Sequence, residues 1–194
     1  MRKTQIRNSI TKIHFYLLGF AVLNFTLKKT IEISLNYRFA YLITVLIYTS
    51  GIILFFWNFK PFKKRVIYFS VYFITPILTL LFWLFGGIFF GLLASIVLYP
   101  IYPSEIKTQN EKIVVYKKYQ GFMGACCPYE VTEKKYWLLE KKIMDINLYE
   151  AIDFGKASLK SKDGKSELKI RYNKYEFGPE ISEETDTIIN IKTE

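Results

Sequence analysis

The sequence predicts a membrane α-helical bundle of three or four transmembrane helices followed by a small antiparallel all-β domain, a barrel or a sandwich. Three observations predict it. Long charge-free apolar runs fill residues 1–104. The net charge of +10 belongs entirely to that half. Residues 105–194 instead alternate apolar and polar positions around turn signals.

The charge split sets the domain boundary. Residues 1–104 carry Arg2, Lys3, Arg7, Lys12, Lys28, Lys29, Arg38, Lys60, Lys63, Lys64 and Arg65 against one acid, Glu32. The remaining 16 basic residues and 16 acids all lie in 105–194, which is neutral. A basic chain suggests nucleic acid, but these cations flank apolar runs, where they set orientation and meet anionic lipid. Nucleic-acid binding is therefore not expected.

The first apolar run covers residues 13–27, between Lys12 and Lys28. Its basic start resembles a signal peptide, but no small-residue cleavage site follows, so it reads as an uncleaved anchor. His14, the only histidine, lies at its edge and is expected to face headgroups. The second run, 39–57, has no charge and carries Tyr37, Tyr41 and Trp57 where an aromatic belt belongs. After Lys60–Arg65, no charged residue appears up to Ser104. One straight helix of that length would be about 58 Å, nearly twice the hydrocarbon thickness of about 30 Å. Gly86-Gly87 is the expected break, which gives spans at 66–84 and 88–102. Pro76 is expected to kink the first of these, with a nearby Ser or Thr satisfying the freed carbonyl.

Loop charges favour four spans over three. With the N-terminus inside, four cations precede the first run and Lys60, Lys63, Lys64 and Arg65 also lie inside, against Lys28, Lys29 and Arg38 outside; three spans would in addition put Lys107, Lys112, Lys117 and Lys118 outside, near the membrane. That layout is a multi-pass protein of the bacterial inner membrane with a cytoplasmic β domain. Gly87, Gly91 and Ser95 recur at four-residue spacing. With Gly86 they are candidates for close helix–helix packing, within the chain or between copies.

Residues 105–194 supply strand signals at Lys112–Tyr119, Tyr136–Glu140, Met144–Leu148 and Glu167–Tyr172. Asp163-Gly164 provides the two positive-φ positions of a type I′ turn between strands. Leu168, Ile170 and Tyr172 then share one face, and Thr187–Ile191 is an expected edge strand.

Chemistry is sparse. Met123, Cys126 and Cys127 place two thiols and a thioether within five residues, a soft-metal or redox candidate. Adjacent cysteines on a strand point to opposite faces, however, and the reading of small buried thiols in a Gly- and Pro-shaped loop is favoured. No cofactor or catalytic group is expected, because no nucleophile elbow, phosphate loop or carboxylate pair is spaced for chemistry. The acids of the β domain alternate with lysines and are expected on a solvated surface. No charge lies deep in a span, which argues against ion-coupled transport.

The expected function is a non-enzymatic binding, sensing or regulatory module of accessory or immunity type. Its partners are the lipid bilayer and a protein or a second copy. A membrane-disrupting defence effector gated by nucleotide binding to the β domain is one alternative. A thiol-based metal or redox protein is another.

Overall fold

Among the described residues, four helices and eight strands follow the order helix, strand, three helices, seven strands. The computed structural model describes residues 2–60, 64–98, 104–119, 128–147, 152, 154, 157–162, 165–175 and 182–192. The chain divides into two compact units, a helical one and a β one.

In the helical unit, α1 spans Arg2–Thr30. The polar start that precedes the first apolar run is helical too, so α1 reaches about 43 Å. Lys28 and Lys29 sit in its last turn, where their charge complements the carbonyl end of the helix dipole. The helix is left through Glu32, a non-glycine residue with φ of 58°. Helix α2 spans Tyr37–Phe59 and is capped by Asn36, whose Oδ1 accepts the Arg38 N–H at 2.9 Å. The entry to α2 is tied back to α1 by Asn24, whose Oδ1 accepts the Leu35 N–H at 2.7 Å.

Helix α3 spans Arg65–Phe85 and contains Pro76. Thr75 and Thr79 donate to the carbonyls of Val71 and Thr75. Neither therefore serves the Tyr72 carbonyl, which Pro76 leaves without its usual donor. The break at Gly86-Gly87 lies where the sequence places it. Both glycines have positive φ, 59° and 84°, a conformation that a side chain disfavours. Helix α4 follows as Gly87–Leu98.

Three helices, α1 to α3, are long and apolar enough to cross a membrane. The described α4 has 12 residues, about 18 Å, which falls short of the hydrocarbon core. The fourth span expected over 88–102 is thus helical only through Leu98 among the described residues. Helix α2 packs against both α1 and α3, and α4 against α3. Leu54, Phe55, Val66 and Phe69 form the buried centre, with Phe55 and Phe73 stacked at 4.6 Å. Large apolar side chains such as Tyr16, Phe25, Trp83 and Phe89 point outward. Such a surface suits lipid and is costly in water.

The β unit contains two antiparallel sheets. Strands β2 (Glu105–Gln109), β3 (Ile113–Lys117), β4 (Pro128–Lys134) and β5 (Leu139–Asn147) form the first as a meander. Its outer place beside β5 is taken by β1, Ile33–Leu35, from the link between α1 and α2. The Lys142 N–H donates to the Glu32 carbonyl at 2.8 Å, and Glu32–Ser34 belongs to this unit. The second sheet contains β6 (Ser158–Lys162), β7 (Lys165–Tyr175) and β8 (Ser182–Lys192) in that order. Lys162 pairs with Lys165, so two residues separate β6 from β7, as an Asp-Gly turn requires; Asp163 and Gly164 themselves lie outside the described residues.

One core joins the sheets. Ile113, Val115, Tyr129, Val131 and Ile146 meet Leu168, Ile170 and Ile191, with Met144 and Leu159 beside them. The alternation at 168 and 170 follows from the strand period of two. The expected strand at 136–140 begins later, because Tyr136 and Trp137 belong to the turn before β5.

Candidate functional site

The cationic end of the helical unit is where the chain assembles polar groups around a space. Arg7, Asn8 and Thr11 lie near the start of α1, Asn58 near the end of α2, and Lys64 and Arg65 at the start of α3. With Phe69 they line a cavity of about 430 Å³. Arg7 and Thr11 share a helix face because they are four residues apart. The Thr11 hydroxyl donates to the Arg7 carbonyl at 2.8 Å, and the buried Asn58 amide donates to the Leu54 carbonyl at 2.7 Å.

Behind Phe69 the three helices share one hydrogen-bond chain. His14 is 0 % exposed, and its ring meets that of Phe69 edge-on at 5.4 Å. His14 Nδ1 is 2.9 Å from Ser50 Oγ, and Nε2 is 3.0 Å from the Tyr68 hydroxyl. The Tyr68 and Tyr72 hydroxyls are 2.8 Å apart. Proton positions follow by elimination. Ser50 donates to the Ile47 carbonyl at 3.0 Å, so it accepts from His14 Nδ1–H. Nε2 of a neutral ring then accepts from Tyr68, and Tyr68 accepts from Tyr72. The chain runs in one direction and links α1, α2 and α3. Each polar group finds a partner in an apolar setting, which sets the relative register of the three helices.

The sequence expectation for His14 was a headgroup-facing residue, and the fold buries it instead. Its partners lie 36 and 54 residues away, at a separation that no local pattern encodes. A spacing signal was present all the same, because Arg7, Thr11 and His14 recur at four and three residues on one face of α1.

Among the residues singled out from sequence, Gly86 and Gly87 shape the break between α3 and α4. A Cβ built on either would meet nothing within 4 Å. Ser95 is buried and donates to the Gly91 carbonyl at 2.8 Å. A close helix approach is seen at Gly51, where a Cβ would fall 2.5 Å from the Tyr72 ring. Met123, Cys126 and Cys127 lie outside the described residues. Among the described residues no three His, Cys, Asp or Glu side chains gather as metal ligands.

The β unit also buries carboxylates that the sequence reading put on a solvated surface. Glu140, 3 % exposed, accepts from Tyr116 at 2.8 Å and from Thr132 at 3.0 Å. Glu130 and Glu133 are buried and pair with Lys118 and Lys135, each at 3.0 Å. Glu130 and Glu133 lie on β4, which is buried on both faces, so their positions are not solvated; Glu140, on β5, is covered by Tyr116 and Thr132. Burial pushes the Asp145 carboxyl up, but hydrogen bonds from Lys118 and Lys142, both at 2.6 Å, outweigh it and hold it below the usual carboxylate range. Burial likewise lowers the Lys118 amine, and its bonds to Asp145 and Glu130 more than offset that, so its pKa is raised.

At the tip between β4 and β5, Tyr136 and Trp137 are 76 % and 85 % exposed. The turn is closed by the Lys135 N–H donating to the Leu139 carbonyl at 3.0 Å. No protein-family model, no curated protein and no solved structure matches this chain.

Proposed function

We propose that the protein is a non-enzymatic binding module held in a membrane by its helical unit, with the β unit presenting the contact surface. The observation that carries this reading is the aromatic hairpin tip. Two large side chains are kept in water on a closed turn between paired strands, beside Lys134 and Lys135. Exposed Tyr and Trp on a rigid support are the residue types that anchor interfaces at low entropic cost. A photo-cross-linking amino acid in place of Trp137, in the full chain in cells, is expected to give one discrete adduct that Tyr136→Ser abolishes. No adduct, or a smear insensitive to Tyr136, would sink the reading.

Connectivity supports a reading of the side of the membrane. Glu32–Ser34 lies between the first two apolar helices and belongs to the β unit. A strand can join a sheet only on the sheet's own side of a bilayer, because unsatisfied backbone does not persist in hydrocarbon. This supports three spans, with the chain returning after α3 to the side that holds the α1–α2 link. The cations before the first run and those at 60–65 then face inside, eight against Lys28, Lys29 and Arg38. The β unit accordingly lies on the outer side, whereas loop charges alone favoured a cytoplasmic one. Fluorescent-protein fusions after Lys64 are expected to glow, and alkaline phosphatase fusions after Lys192 are expected to be active. The reverse pattern at position 192 would restore the four-span layout.

A further inference from the structure

The cavity at the cationic end of the bundle has a composition that anchoring alone does not require. Arg7, Lys64 and Arg65 line it together with Asn8, Thr11 and Asn58, and no acid is present among the described lining residues. The nearest acids in sequence cannot neutralise it. Glu32 is the only Asp or Glu before Glu105, and it follows the far end of α1. Among the described residues, neither Arg7, Lys64 nor Arg65 forms an ion pair. Three like charges around one space repel each other, and an anion between them relieves that repulsion. The start of α3, at Lys64 and Arg65, adds the positive end of a helix dipole.

Depth and size narrow the ligand. Lys64 and Arg65 border the apolar run at 66–84, and Arg7 lies six residues, about 9 Å along α1, before the run at 13–27, so the cavity sits at headgroup level. Phe69 closes it toward the apolar interior. A volume of about 430 Å³ falls within the range of small-ligand sites, about 300–1,000 Å³. Basic pockets between membrane helices hold phosphate-bearing headgroups by charge-assisted hydrogen bonds, and arginine offers them a two-pronged donor.

The geometry points to an anion site, formed where α1, α2 and α3 meet, that binds a phosphate group through Arg7, Lys64 and Arg65. The phosphate belongs either to an anionic lipid headgroup or to a soluble phosphate, and the recognition chemistry is the same. The site depends neither on the side assigned to the β unit nor on Tyr136 and Trp137, so it can fail while the proposed function stands.

The test uses the full chain, stripped of lipid in neutral detergent, and counts bound ligand by native mass spectrometry. Phosphatidylglycerol and inorganic phosphate are the two probes. Arg7→Gln/Arg65→Gln removes two lining charges. Lys3→Gln/Lys12→Gln removes two exposed charges from the same end of the bundle, outside the cavity lining. The cavity variant is expected to bind at least about tenfold more weakly, and the control to change by less than about twofold. Binding of phosphatidylglycerol that inorganic phosphate does not displace assigns the lipid source. Binding of inorganic phosphate with the same variant pattern assigns a soluble one. Equal losses in the two variants would show diffuse surface attraction and overturn the site. Failure of the unaltered chain to bind either probe would overturn it without any variant.

Discussion

Gly51→Leu is expected to unseat α3 from α2 and to lower the melting midpoint of the helical unit. A Cβ at position 51 would lie 2.5 Å from Tyr72 Cγ, 2.7 Å from Cδ2 and 2.9 Å from Cβ. Rotation about χ1 would move Cγ and Cδ2 but not Cβ, so a rotamer change alone cannot clear the contact. The ring is also held from two sides. Its hydroxyl bonds Tyr68 at 2.8 Å, and Tyr48 packs against it edge-on at 5.3 Å. Relief therefore requires the helices to part, which breaks the His14 chain as well. Overpacking of this kind costs about 1–3 kcal/mol or more, and each kcal/mol is worth about 2–4 °C in a chain of this length. Thermal unfolding of the purified chain in detergent, followed by its helical signal, measures it. The control is Gly19→Leu, whose Cβ meets nothing within 4 Å. Equal midpoints for the two variants would refute the account.

Leu168→Ala is expected to destabilise the β unit by about 2–5 kcal/mol, a large share of the roughly 5–15 kcal/mol that holds a domain together. Leu168 is 0 % exposed and lies on β7, the central strand of its sheet. It pairs with Leu159 on one side and Ile189 on the other, and it joins the core shared with Val131 and Ile113. No neighbouring strand can close the void without moving both sheets. Lys169→Ala, one position along, removes an exposed side chain whose ion pair with Asp186 at 3.0 Å is solvated. Its expected cost is within about 0.5 kcal/mol. Urea unfolding followed by the strand signal compares the two. Similar midpoints would mean that the strand does not alternate as described.

How much of this was legible depends on how far apart the interacting residues are. Elements governed by neighbours were readable. The uncharged run over 39–57 became α2, and Gly86-Gly87 became the break between α3 and α4. Asp163-Gly164 marked the spacing of β6 and β7, and the alternation at Leu168 and Ile170 marked the buried face. Residues that depend on distant partners were not. Gly51 is an ordinary small residue until Tyr72 is placed over it. The carboxylate of Glu140 reads as solvated until Tyr116 and Thr132 close on it. Ile33–Leu35 is too short to carry a strand signal, and only β5 beside it makes it one.

By itself the sequence determined the two-part architecture and the cationic flanks, because apolar run length and charge placement are local quantities set by transfer into water or lipid. Only the tertiary structure decided what those flanks do. Three helices converge and bring Arg7, Lys64 and Arg65 to one cavity without a counter-charge among the described residues. They close His14 into a hydrogen-bond chain whose partners lie 36 and 54 residues away. The physical reason is that both arrangements join side chains from different helices, and which side chains meet is chosen by how the helices pack.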